Sequence, residues 1–149
     1  MYNTLKITIM INQITDTPVL KDFVSPLLCE DLMYAGFALH ATFSWKIYHD
    51  QVMLHTLAFD IDDYYKDGCA ALDKITPPKK ILPAFTIKEI EPHLPDYCTC
   101  RVNKMYEMSL DKNYYIEPIK AERLPDLFAF MMLMCIRKKV INPSKIFSL

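Results

Sequence analysis

Carboxylates crowd one stretch of this 149-residue chain: Asp60, Asp62 and Asp63, followed by Asp67-Gly68. Closely spaced acids can hold a hard cation. A calcium loop would alternate its ligands, with glycine sixth and glutamate twelfth. Counted from Asp60, Tyr65 stands sixth and Ala71 twelfth. The pattern is therefore that of a solvated acidic loop, able to meet a basic partner surface. A metal-dependent hydrolase using the Asp60 to Asp67 acids is the one enzymatic reading they leave open.

Five cysteines, Cys29, Cys69, Cys98, Cys100 and Cys135, give no Cys-x-x-Cys zinc or redox layout. Cys98 and Cys100 are two apart and share a face if that segment is a strand. Beside Arg101 they could hold a low-pKa thiolate, but packing thiols in a core-facing strand is the favoured reading. The histidines, His40, His49, His55 and His93, have no ligand spacing. In the hairpin register set out below, His40 lies roughly 13 Å, at 3.3 Å per residue, from the point opposite His55. That is too far for two ligands of one zinc, each bonded at about 2.0–2.1 Å. No metal or cofactor is expected.

Only Gly36 and Gly68 are glycine, which removes the clustered glycines of phosphate-cradling loops. No glycine-flanked elbow surrounds Cys29, Ser44 or Cys98. Tyr97, Arg101, Lys104, Tyr106, Lys112, Tyr114 and Tyr115 mix aromatics with cations, as base-stacking sheets do. No RNP-like phrase accompanies them, and the net charge is −1. Nucleic acid is not the expected partner.

The elements that must position these residues follow from periodicity and punctuation. Leu5, Ile7, Ile9 and Ile11 alternate with Thr4, Lys6 and Thr8, the signature of a half-buried strand. Ser25 at N-cap, Pro26 at the first helical position and Gly36 at C′ frame a helix with Leu28, Leu32 and Ala35 on one face. Leu39, Ala41, Phe43, Trp45 and Ile47 alternate with polar residues. Tyr48 to Gln51 turns, and Val52 to Phe59 returns, Ile47 pairing with Val52. His40, Thr42, Ser44 and Lys46 face the other way beside Met53, Leu57 and Phe59, a mixed face that implies partial cover. Asp60 to Asp73 is irregular. Thr76 to Lys80, with two prolines, is the candidate break within a single 1–149 domain.

Thr86-Ile87-Lys88-Glu89 is a capping box with Phe85 and Ile90 as its staple, and Pro92 and Pro95 should end that helix. Tyr97 to Glu107 reads as a strand and Tyr114 to Pro118 as a short return. A last helix spans Leu124 to about Ile141. Within it Leu127 to Ile136 is apolar without interruption. That run is shorter than the about 20 residues a bilayer requires, so no membrane span is expected. A helix apolar all round must be enclosed. Its methionines fill a core, or Phe128, Met132 and Cys135 meet a second copy in a symmetric dimer. Lys6 and Thr8 break any signal-peptide pattern, which points to the cytoplasm.

Ile81-Leu82-Pro83-Ala84-Phe85-Thr86, then Ile87, Ile90 and Leu94-Pro95, resembles a phrase in small uncharacterised proteins of phages, prophages and mobile elements of gut Bacteroidetes. In those a Pro-Ala-aromatic-Ser/Thr-Leu phrase opens a helix that closes on Leu-Pro, before a two-stranded stretch and an apolar helix. Leu28-Cys29-Glu30-Asp31-Leu32 with Gly36 and Trp45, and Leu124-Pro125-Asp126-Leu127 through Asn142, are similar too. The chain departs from the group at Pro92 and in the acidic insert. The resemblance implies accessory cargo of such an element, and carries no site residues.

The expectation is an α+β fold, with a mainly antiparallel sheet of about five strands, helices on one side and an apolar closing helix. Its core should hold Leu28, Leu32, Phe43, Trp45, Leu54, Phe85, Ile90, Val102, Leu127, Phe130, Met131 and Met134. The expected function is non-enzymatic binding of a protein partner through Phe128, Met132 and Cys135 or Asp60, Asp62 and Asp63. Sequestration of a small molecule between sheet and closing helix is the alternative.

Overall fold

The fold is α+β. The computed structural model describes residues 6–10, 20–37, 40–49, 51–55, 59–60 and 79–143. They divide into two compact units, each drawing on two stretches of chain: 1–20 with 39–85, and 21–38 with 86–149. The expected break at Thr76 to Lys80 lies mostly outside the described residues. The chain passes from the first unit to the second at Leu20 and Lys21 and again at Phe85 and Thr86.

The first unit holds β1 (Lys6–Met10), β2 (His40–Ala41), β3 (Phe43–Ile47), β4 (Gln51–His55), β5 (Phe59–Asp60) and β6 (Lys80–Ala84). The main sheet has the order β1-β4-β3-β6, while β2 and β5 form a separate pair. The β3–β4 hairpin has the register its alternation implies, Ile47 opposite Val52 and Trp45 opposite Leu54. One apolar face and a short turn leave no other pairing that buries Trp45, Val52 and Leu54 together. The mixed face is covered as well, since Ser44 and Lys46 are 3% and 4% exposed. The strand expected to run unbroken from Leu39 divides at Thr42. β1 pairs with β4 in parallel, so this sheet is mixed. β6 closes the opposite edge, and Pro83 within it is tolerated because an edge strand has one side without ladder bonds.

The second unit holds α1 (Pro26–Tyr34), α2 (Ile87–Ile90), β7 (Tyr97–Val102), β8 (Met105–Leu110), β9 (Ile119–Ala121) and α3 (Leu124–Arg137). α3 is its hub, packing on α1, α2, β8 and β9. Leu127, Phe128, Ala129, Met131, Met132, Leu133 and Cys135 are all buried along it. Phe130, expected in the core, is 40% exposed, and Met134 is only half-buried. The two are four residues apart, so they share the one stripe turned away from those neighbours. No described helix is long and apolar enough to cross a membrane.

Both long helices end in the same geometry with different residues. After α1, Gly36 (φ 88) donates its N–H to Met33, and Phe37 donates to Leu32. After α3, Lys139 (φ 61) donates to Ile136, and Val140 to Cys135. These are paired Schellman bonds. The second stops α3 at Arg137, short of the expected Ile141, because a left-handed residue cannot continue a right-handed helix. The capping box at Thr86 is formed, its N–H donating to the Glu89 carboxylate at 3.1 Å, and Pro92 sits in the 3-10 turn that ends α2.

Two corrections concern strands. The single sheet of about five strands is replaced by sheets of four, two and three among the described residues. The expected strand Tyr97 to Glu107 is a hairpin, folded at Asn103-Lys104 with Asn103 at φ 60. Asparagine tolerates that conformation better than other non-glycine residues. The return strand falls at Ile119–Ala121, after Lys112–Tyr114 takes a 3-10 turn capped by the Asp111 carboxylate.

Candidate functional site

The sheet β7-β8-β9 is antiparallel throughout, with Cys98 opposite Ser109, Cys100 opposite Glu107 and Tyr106 opposite Ala121. Alternation sorts its residues into two faces. Tyr97, Thr99 and Arg101 lie in register with Leu110, Met108 and Tyr106, and Tyr106 with Ala121; Met108, Leu110 and Ala121 are buried on the side where α3 packs. Cys98, Cys100 and Val102 therefore lie on the other side, with Met105, Glu107, Ser109 and Lys120. Lys120 Nζ stands 3.7 Å from Glu107 there.

This inverts the expected orientation of β7. Cys98 and Cys100 are exposed free thiols, and Val102 is 45% exposed rather than core. Both faces carry weak polarity contrast in Tyr-Cys-Thr-Cys-Arg-Val, so the neighbours in the sheet decide which one turns inward. Thr99 and Arg101, on the inward side, are exposed too, because α3 packs mainly on β8 and β9 and meets β7 at Tyr97. Arg101 is not beside the thiols. It lies on the opposite face, its guanidinium carbon 5.2 Å from the Tyr106 ring centre, a cation–π contact.

β7 is thus an edge strand with one neighbour, β8, among the described residues. Its start is anchored by Tyr97, whose ring meets Phe128 edge-on at 5.3 Å. The Tyr97 hydroxyl donates to Glu91 Oε1 at 2.7 Å. Burial first, and then that bond and the carboxylate's charge, push the phenol up to about 12. Beyond Tyr97 the strand carries no proline and only one charge, Arg101, so it has few of the devices that close an edge to other chains.

A second feature ties the starts of α1 and α3 together. Asp126 accepts the Ser25 N–H at 2.8 Å on Oδ1 and the Ser25 hydroxyl at 2.6 Å on Oδ2. Arg123 donates to Ser25 Oγ and to the Phe23 carbonyl, each at 2.7 Å, and lies 3.2 Å from both Asp126 oxygens. Ser25 occupies the expected N-cap position, yet its side chain makes no cap bond. The arrangement joins a hydroxyl and a carboxylate, with Arg123 bonded to both. It works as a clasp, with Asp126 also well placed in the first turn of α3. Beside it Lys21, Asp22, Ile87, Tyr106, Glu122, Arg123, Leu124 and Pro125 line a hollow of about 370 Å³. Arg123 and Asp126, three residues apart, hint at a local ion pair in the sequence. Ser25, 101 residues from Asp126, could not be linked to them.

The residues expected to meet a partner lie elsewhere. Phe128, Met132 and Cys135 are 4%, 0% and 0% exposed, so the chain's own fold encloses them. Asp60 pairs with His40 in the β2–β5 register, while Asp62 and Asp63 lie outside the described residues. His49 and His93 are exposed, His93 standing edge-on to Phe37 at 5.9 Å. No group of three or more metal-ligating side chains occurs among the described residues. No family profile, curated protein or solved structure matches the chain.

Proposed function

We propose that this is a non-enzymatic binding protein that takes an extended segment of a macromolecular partner onto the open edge of β7. The observation that carries the reading is a six-residue edge strand, exposed on both faces past Tyr97, without proline and with a single charge, Arg101. Such edges bind by strand addition, in which backbone hydrogen bonds supply affinity and alternate side chains supply selectivity. The resemblance to phage and mobile-element proteins adds that the protein is accessory cargo acting in the host cytoplasm on a host protein. Thr99→Pro is the test. Proline is accepted on an edge strand but removes an N–H and crowds the incoming strand. Affinity capture from host lysate should lose its specific partner with this variant while the fold persists. Equal capture by both proteins, or measurable turnover of a substrate, overturns the reading.

A second reading rests on the hollow beside the clasp. Its volume lies within the usual range for small ligands, and it is lined by Lys21 and Arg123 together with Asp22, Glu122 and Tyr106, a setting for a polar metabolite or nucleotide. At about 100 times its dissociation constant a ligand adds about 2.7 kcal/mol of stability. A nucleotide and metabolite panel without thermal shift removes this alternative.

A further inference from the structure

The hairpin turn determines which backbone groups of β7 point outward. With two residues in the turn, Val102 and Met105 form the closing pair and exchange both hydrogen bonds, and the pattern then alternates along the ladder. Cys98, Cys100 and Val102 therefore spend their N–H and C=O groups on β8. Tyr97, Thr99 and Arg101 present theirs to the open edge. Any strand added there in antiparallel sense must offer its own outward residues opposite these three.

From this we infer that the edge is self-complementary: until a partner segment displaces it, a second copy of the chain occupies the edge, paired β7 to β7 about a twofold axis through Thr99. The inference rests on the strand-addition reading and adds the resting occupant of the same edge. In this register Thr99 faces Thr99, and Tyr97 faces Arg101 of the second copy. All six outward backbone groups of each copy are used, whereas sliding by two residues strands some of them. The edge carries one charge, Arg101, and it meets an aromatic ring rather than its own image. The twofold closes the assembly, so two edges are consumed and none is left to grow a fibre.

The same register completes a site that one chain holds only half of. Within a strand, Cys98 and Cys100 stand about 6.6 Å apart with parallel side chains, which is wrong for a bridge that needs Cβ atoms about 3.5–4.5 Å apart. Across the axis, Cys98 falls opposite Cys100 of the second copy at a position without mutual backbone bonds. There Cα atoms approach to about 4.5 Å and side chains are closest, within disulfide range. Four thiols gather on the exposed face, in two cross-strand pairs. A low-molecular-weight disulfide such as oxidised glutathione can lock each pair. One cysteine thiolate attacks it and releases one glutathione thiol. The facing thiolate then attacks the mixed disulfide and releases the second. Two protein thiols are oxidised, one disulfide is reduced to two thiols, and both protons leave with glutathione.

The test mixes tagged Cys98→Ser with untagged Cys100→Ser protein in oxidised glutathione. The mixture should give a cross-linked heterodimer at least tenfold faster than either variant cross-links alone, because only the mixed pair sets Cys100 opposite Cys98. Under reduction, sedimentation should show a dimer for the unaltered chain and a monomer for Thr99→Pro. Equal cross-linking in all three samples, or a dimer that survives Thr99→Pro, overturns the self-pairing. A chain monomeric at every concentration also overturns it, and amide exchange then separates the two claims. Rapid exchange at Tyr97, Thr99 and Arg101 leaves the edge open for a different strand, whereas protection there ends both.

Discussion

β6 and β7 are both edge strands, yet only one is open. β6 carries Lys80 and Pro83, buries Leu82, Pro83 and Ala84, and has β2 and β5 packed near it. β7 carries neither lysine nor proline and exposes every residue from Cys98 to Val102. Hydrophobic content does not explain the difference, for the exposed strand contains two cysteines and a valine, while central β3 buries a lysine. Strand order and the placement of covering elements decide burial. An edge left without cover and with a single charge is accordingly the feature that calls for a function.

Core truncation breaks the comparison most strongly. Leu82→Ala, at 1% exposure, should cost about 2–5 kcal/mol in chemical denaturation. Val102→Ala should stay within about 0.5 kcal/mol. Similar losses would mean that β7 is as enclosed as β6.

The thiols repeat the contrast. Burial pushes the Cys135 thiol up from an ordinary 9.0 to about 11. Below pH 9 it is protonated in folded and unfolded chains alike, and its contribution is intact. Between pH 9 and 11 only the unfolded chain ionises, so stability falls by up to about 1.4 kcal/mol per pH unit. Cys135→Ala should flatten that slope. At neutral pH a thiol reagent should modify Cys98 and Cys100 at once and reach Cys29 and Cys135 only on unfolding. Cys29 is held inside with its thiol donating to the Val24 carbonyl at 3.4 Å.

The clasp should matter less than the core. Asp126→Ala strips the acceptor from Ser25 and Arg123 and should cost about 1–2 kcal/mol, given that Arg123 is partly exposed. Asp126→Asn should recover part of it. Loss within error for both would reduce the clasp to a surface pair. The two Schellman ends sharpen the account further, with opposite signs expected. Gly36→Ala should lose about 1 kcal/mol at φ 88, and Lys139→Gly should gain up to about 1 kcal/mol by relieving a left-handed lysine.

What the sequence disclosed follows the same logic. Local signals were legible: the Ile47–Val52 register from alternation around a short turn, Pro26 and Gly36 at the ends of α1, and the Thr86–Glu89 box. Each depends on residues close in the chain. Hidden features depend on distant neighbours. Alternation identifies β1 as a strand but not β4 as its parallel partner. Cys98, Cys100 and Val102 were grouped on the right face, yet that face turned outward because Met108 and Leu110 supply the buried side. Lys139 carries no mark of a helix end, since lysine rarely takes the conformation that glycine takes freely. Phe128, Met132 and Cys135, expected to meet a partner, are buried by the neighbours of α3, which the apolar run alone does not reveal.

Residue-resolved amide exchange along β7, followed from dilute to concentrated protein, tests the central claim most directly. Dilute chain should show slow exchange at Cys98, Cys100 and Val102, bonded to β8, and fast exchange at Tyr97, Thr99 and Arg101. Concentration, or an added partner strand, should slow the second set at least tenfold. Six amides equally protected in the dilute monomer, or an outward set that never slows, would contradict an open edge built for pairing.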